Sequence, residues 1–231
     1  MNKTETWSKL FSKSSFFAIN KEEDLDTEII NYQAKIKYDS KVDSFHPNRK
    51  NEYLLGRVCA SRAHELCTNK ELLSLPTNAD RSPQWPSDVV GSISHNQYWV
   101  GAAVAWEADL IGVGIDFEVM GRTKLELAKQ IRSPGDILKH PELSDEDLLT
   151  IIFSCKESLY KALYPSVKKF FGFEDAALSK LDLSNGTFTI DLLTQLSLKF
   201  GISSHQSFNG RLALDNRNCL TVLEIFDETI H

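Results

Sequence analysis

Residues Gly112–Met120 read GVGIDFEVM. Val113, Ile115, Phe117 and Val119 alternate with Gly114, Asp116 and Glu118, the period-two pattern of a half-buried β-strand. In a strand, residues i and i+2 project from the same face. Asp116 and Glu118 therefore point the same way, and the simplest outcome is that they point into water. Their pairing supports a second reading. Two carboxylates on one face repel unless a cation lies between them, and together they form an oxygen platform for a hard ion such as Mg²⁺. That reading needs a third oxygen ligand and a phosphate-bearing substrate.

The 231-residue chain is 42% hydrophobic and 25% charged, with a formal net charge of -6. This is ordinary globular composition, sufficient for one large domain or two small ones. An acidic balance argues against a nucleic-acid binder. No apolar run reaches bilayer-spanning length. The N-terminus has no sustained apolar region or small-residue cleavage signal, so the chain reads as mature and cytoplasmic. The four cysteines show no metal-like spacing and read as small buried hydrophobes of a reduced protein.

Working outward, Pro47 is placed to open a helix, along which Leu55, Val58, Cys59, Arg62 and Leu66 fall at helical spacing. A short amphipathic segment around Glu23–Ile30 precedes it. Asn69 to Pro86 is loop by composition. From Gly91 the pattern turns to strand, and Val100–Val104 with Ile111–Met120 reads as a β-hairpin. A short helical stretch lies near Leu125–Ile131. Ser144 is an N-cap followed by three acids. Leu148, Ile152, Cys155, Leu159 and Ala162 then continue one amphipathic helix to a stop before Pro165. Leu181–Asp191, Ser197–Gly201 and Leu220–Phe226 read as strands of a second sheet. The fold class is α+β, with a boundary near Met120: an N-terminal half, 1–120, and a C-terminal half, 121–231.

The long helix carries FSCKESLYKALYP, Phe153–Pro165. Glu157 and Lys161 stand four apart, opposite the apolar stripe, and read first as an exposed ion pair worth about 0.3–0.5 kcal/mol. Lys156 fits less easily. It lies at the edge of the apolar arc, where a lysine must snorkel or meet an anion.

GVGIDFE followed by FSCKESLYKALYP resembles the two signature motifs of the 4′-phosphopantetheinyl transferases. RSPQWPSDVVGSISHN, Arg81–Asn96, resembles a further motif of the surfactin- and enterobactin-synthetase type, and FGFEDAAL, Phe171–Leu178, matches a segment those enzymes carry after the helix. The resemblance covers roughly Arg49 to Leu178. It implies transfer of the phosphopantetheine arm of coenzyme A to a serine hydroxyl of an apo carrier protein, giving adenosine 3′,5′-bisphosphate. It implies two similar α+β halves about a pseudo-twofold axis, coenzyme A in the cleft between them, and a monomer.

On this resemblance Asp116 and Glu118 match the metal-binding acids, with Mg²⁺ expected and Mn²⁺ as an alternative. Glu157 matches the third acid, either a metal ligand or the base that takes the serine proton. Lys156 and Lys161 match lysines near the phosphates, Lys161 acting with Glu157 in catalysis. Arg49, Arg57, Arg81, Ser94 and His95 match the grip on the 3′-phosphate and nucleotide. Because carrier proteins are acidic like this chain, docking is expected on a local patch, Val167–Phe171. Two rivals are a Mg²⁺-dependent hydrolase indifferent to the 3′-phosphate and a binding module that does not need Glu157.

Overall fold

The computed structural model describes residues 3–23, 27–196, 202, 206–215 and 217–226. The chain forms two compact units, Met1–Leu110 and Ile111–His231, each of them mixed α and β.

The first unit carries α1 (Lys3–Ser8), β1 (Ser15–Asn20), α2 (Thr27–Lys35), α3 (Pro47–Thr68), β2 (Val89–His95) and β3 (Trp99–Trp106). Pro47 occupies the first turn of α3, as its fixed φ favours. The antiparallel sheet has the order β1-β3-β2, and α3 packs on it. Leu55, Val58 and Cys59 of the predicted stripe enter a core with Val100, Ala102 and Val104. Leu66, from the same stripe, is exposed. In the segment predicted around Glu23–Ile30 a helix is described from Thr27 onward, and positions 24–26 lie outside the described residues.

The second unit carries β4 (Gly112–Val119), α4 (Ala128–Ile131), α5 (Asp145–Val167), β5 (Ala176–Asp182), β6 (Thr187–Leu192), β7 (Ser207–Leu214) and β8 (Asn218–Ile225). Its sheet order is β4-β8-β7-β6-β5, all antiparallel. The predicted hairpin of β3 with β4 does not form. Instead β4 pairs with β8 along its whole length, Gly112 opposite Ile225 and Val119 opposite Asn218. The division accordingly falls at Leu110, ten residues before the expected boundary, because β4 is an edge strand of the second sheet.

Ser144 caps α5 as expected, its Oγ accepting from the Asp147 amide. The helix does not stop before Pro165 but runs to Val167. In the last turn the missing proline N–H forfeits a single bond, and the Lys168 amide closes the end on Tyr164 O. Leu181–Asp191 is two strands rather than one. Asp182 Oδ1 accepts from Ser184 Oγ and the Asn185 amide, and Gly186 takes a left-handed φ of 61°, which makes the turn. The strand expected at Ser197–Gly201 lies outside the described residues.

The helix α5 packs against β4 and β8 over a core containing Leu148, Ile152, Leu159, Leu178, Ile190 and Leu223. Gly112 and Gly114 face it. A Cβ on Gly112 would fall inside the carbonyl oxygen of Ala162, and one on Gly114 inside that of Ser158. The two glycines let helix backbone rest directly on strand backbone, the use of strand glycine where another chain segment must come close. Gly114→Ala is therefore expected to destabilise the protein by about 3 kcal/mol, the upper end of overpacking costs, because the obstructing atom is backbone and cannot rotate away. Urea unfolding of the variant measures this; a loss under about 0.5 kcal/mol would contradict the close packing.

Candidate active site

The period of two that turns Gly112 and Gly114 to α5 turns Asp116 and Glu118 to it as well. The acids do not look into open water. Asp116 is 4% exposed and Glu118 is half-buried. On the facing helix, Lys161 Nζ donates to Asp116 Oδ1 at 2.6 Å. Glu157 and Lys161 are thus not an exposed pair on a solvent face, since both are half-buried.

Five charges share one field here. Burial pushes the Glu118 carboxyl up to about 7; the Asp116 charge and, more weakly, Glu157 add to the rise, while Lys161 and Arg122 oppose it. Burial likewise raises Glu157, with Lys161 opposing and Asp116 adding. Among the described residues no group of three His, Cys, Asp or Glu stands ready-made as a metal cage. The cation that Asp116 holds is the Lys161 ammonium.

Beside Glu157 opens a pocket of about 430 Å³, lined by Tyr160, Phe170, Phe171, Gly172 and Phe173. Tyr160 packs on Phe170 and Phe171, and Phe170 is 76% exposed. Part of the predicted docking patch, Phe170 and Phe171, is therefore pocket wall. Lys169 Nζ turns to Gln195 O at 2.7 Å.

Four partners at this site escaped the sequence reading. Thr221, opposite Asp116 in the ladder, joins Ser154 Oγ at 2.9 Å and Ser158 Oγ at 2.5 Å. All three hydroxyls are buried and tie α5 to β8. The signal was present as Ser154 and Ser158, two small polar residues four apart inside an apolar helix. Asp136 is the fourth. Lys156, expected near phosphates, is buried with its Nζ 2.8 Å from Asp136 Oδ2. It does meet an anion, but one supplied by the chain itself.

In the first unit α3 sets Arg49, Tyr53 and Arg57 four apart on one stripe. Arg57 is buried, its guanidinium 3.9 Å from the Tyr53 ring centroid, with Nη2 donating to Thr77 Oγ1 and Nε to Leu75 O. A pocket of about 240 Å³ lies alongside, lined by Lys37, Tyr38, Lys41, Tyr53, Ser74 and Thr77. Arg49 Nη1 donates to His95 Nε2 at 3.2 Å. Because a guanidinium only donates, His95 accepts at Nε2 and carries its proton on Nδ1, 3.6 Å from Glu52 Oε1. Lys21 also reaches Glu52, at 3.2 Å. The structure thus gathers Arg49 and His95, with Arg57 along the same helix. It sets Ser94 and Arg81 apart: Ser94 projects from the sheet face opposite His95, and Arg81 lies on an exposed turn at φ 70° with no ion pair from its side chain among the described residues.

Comparison with known proteins gives two family matches. Residues 38–105 match the 4′-phosphopantetheinyl transferase N-terminal domain, and residues 112–216 match the 4′-phosphopantetheinyl transferase superfamily. They part on either side of the Leu110–Ile111 division. The chain is 35% identical over 186 residues to 4′-phosphopantetheinyl transferase Svp of Streptomyces mobaraensis, covering 78% of this chain and 73% of that protein. It is 29% identical over 184 residues to 4′-phosphopantetheinyl transferase Npt of Nocardia iowensis, covering 76% and 82%. Enterobactin synthase component D of Salmonella austin is 33% identical over 148 residues, covering 63% and 61%.

The Glu118 environment has a stability signature. Its folded pKa of about 7 lies above the ordinary 4.5, so the folded state holds the proton more tightly than the unfolded chain. Its contribution is greatest below pH 4.5 and is lost as pH rises through 7. Glu118→Gln removes the titration. In metal-free buffer its melting temperature relative to wild type should rise between pH 4.5 and 7 and then level off. An offset independent of pH would contradict the shared field.

Proposed function

The chain belongs to the 4′-phosphopantetheinyl transferase superfamily, and from that premise we propose that it transfers the phosphopantetheine group of coenzyme A to a serine hydroxyl of an apo acyl or peptidyl carrier protein. The observation that carries this reading is the convergence of Asp116, Glu118, Glu157 and Lys161 where α5 lies on β4.

The donor set fits a hard divalent ion. Three carboxylates offer oxygen only, they lie in one another's field, and one already holds a cation in Lys161. Asp116, Glu118 and Glu157 would hold Mg²⁺ or Mn²⁺, which when bound neutralises charge on the pyrophosphate. Lys161, released from Asp116, donates to a phosphate oxygen. Glu157 takes the proton from the attacking serine hydroxyl, a role suited by a carboxyl whose proton affinity is raised by burial. The serine oxygen bonds to the phosphorus bearing the pantetheine arm, and the bond from that phosphorus to the bridging oxygen breaks. Adenosine 3′,5′-bisphosphate leaves. The pocket beside Glu157, walled by Tyr160 and Phe170–Phe173, would seat part of the arm. Arg49 and His95, now turned to Glu52, would turn to the 3′-phosphate, for which an arginine fork is well matched. Arg57, stacked and buried, shapes the adjacent pocket.

The decisive assay incubates the protein with coenzyme A, Mg²⁺ and a panel of apo carriers, read by intact mass. One or more carriers should gain the arm, and a chelator should abolish the gain. Glu157→Gln should slow transfer by about 10²- to 10⁴-fold, the usual worth of a general base, at every Mg²⁺ level. Rescue by excess Mg²⁺ would instead make Glu157 chiefly a ligand. His95→Ala should weaken binding of coenzyme A by about tenfold, as for a lost hydrogen bond to a charged group. Dephospho-coenzyme A should be affected much less, and equal losses in calorimetry would remove His95 from the 3′-phosphate.

A further inference from the structure

Lys156 immediately precedes Glu157 on α5, yet it is 2% exposed. Its ammonium meets four oxygens: Ile131 O at 2.8 Å, Asp136 Oδ2 at 2.8 Å, Phe173 O at 2.9 Å and Ser133 Oγ at 3.0 Å. Three protons distributed over four acceptors leave no donor for a substrate phosphate. Asp136, also buried, accepts in addition from the Ser133 amide at 2.7 Å and the Leu178 amide at 2.6 Å. One buried ion pair therefore ties α5 to four further pieces of chain: the end of α4, the segment Ser133–Asp136, the turn at Phe173 and the start of β5.

The arrangement has direct consequences for the pocket. Phe173 is a wall residue, and its carbonyl is held to α5 by Lys156. The opposite side of the same helix turn is held to β8 through Ser154, Ser158 and Thr221. Clamped on both sides, α5 cannot rotate, and the carboxylate of Glu157 keeps its bearing on the pocket. We propose that Asp136 and Lys156 form a positioning pair that fixes Glu157 and the Phe170–Phe173 wall for the transfer reaction, and that Lys156 does not itself contact coenzyme A. The inference rests on the transferase reading above. A displacement of about 1 Å at a reacting group can cost about 10²-fold in rate, so the pair acts on turnover rather than on donor affinity.

The test is the double variant Asp136→Asn/Lys156→Met of the full chain. Removing both charges avoids leaving one of them buried and unpaired, the costliest way to break such a pair. Melting confirms the fold, calorimetry gives coenzyme A affinity, and intact mass gives turnover on a carrier that the wild type loads. The expected result is a folded protein that binds coenzyme A within about twofold of wild type and turns over about 10- to 100-fold more slowly. A folded double variant with wild-type turnover would overturn the proposal, as would a tenfold loss of coenzyme A affinity with turnover retained. If the double variant does not fold, Lys156→Arg carries the same test. It keeps the charge, but its planar fork cannot satisfy four oxygens converging on one point; slowed turnover at unchanged affinity supports the pair and wild-type turnover overturns it. Absence of transfer by the wild type on every carrier would overturn the transferase reading itself and this inference with it, a result distinct from failure of the variant alone.

Discussion

The second unit depends on the contact of one helix backbone with one strand backbone. Gly112 and Gly114 supply it, since no larger side chain fits between β4 and the carbonyls of Ala162 and Ser158. The same strand face continues into Asp116 and Glu118. Their carboxylates are carried up to the helix without an intervening layer, and Lys161 can reach Asp116 at 2.6 Å. A layer of ordinary side chains would hold helix and sheet about as far apart as packed elements usually stand, too far for these short acids. Packing and chemistry are thus two results of one alternation: glycine, glycine, acid, acid.

The arrangement stores electrostatic tension in the folded protein. Asp116 is buried beside the half-buried Glu118 and Glu157, and burial, with the Asp116 charge adding and the Lys161 ammonium opposing, pushes Glu118 up to about 7. The site holds the Lys161 ammonium on Asp116 and favours a proton on Glu118, and the metal cation proposed above would relieve the same tension. The surrounding framework is built to bear this. Hydroxyls of Ser154, Ser158 and Thr221 close on themselves beneath the acids, and the Lys156–Asp136 pair braces the far side.

Much of this was legible in the residues. Pro47 and Ser144 announced their helices through local stereochemistry, and the period of two at Val113–Val119 announced its strand. The paired acids and Glu157 were legible because the resemblance to the transferases rests on them. What failed to show was non-local. Nothing in GVGIDFEVM says that its partner is Asn218–Ile225, about a hundred residues on, rather than the adjacent β3. The glycines looked like spacing between apolar residues and are in fact a packing surface. The amphipathic reading of α5 assumed a solvent face, which the sheet and the Phe170–Phe173 turn remove. Lys156 was marked as misplaced on an apolar edge, but its answer, Asp136, sits in an irregular segment with no periodic signal.

On this proposal the α5–β4 contact makes one cation-binding centre out of Asp116, Glu118 and Glu157. Calorimetric titration of Mg²⁺ into the protein saturated with coenzyme A tests it most directly. The account predicts one Mg²⁺ site in the wild type that Asp116→Asn abolishes or weakens by more than tenfold, with coenzyme A still bound. A wild type that takes up no Mg²⁺, or an Asp116→Asn variant that binds it equally well, would contradict the account.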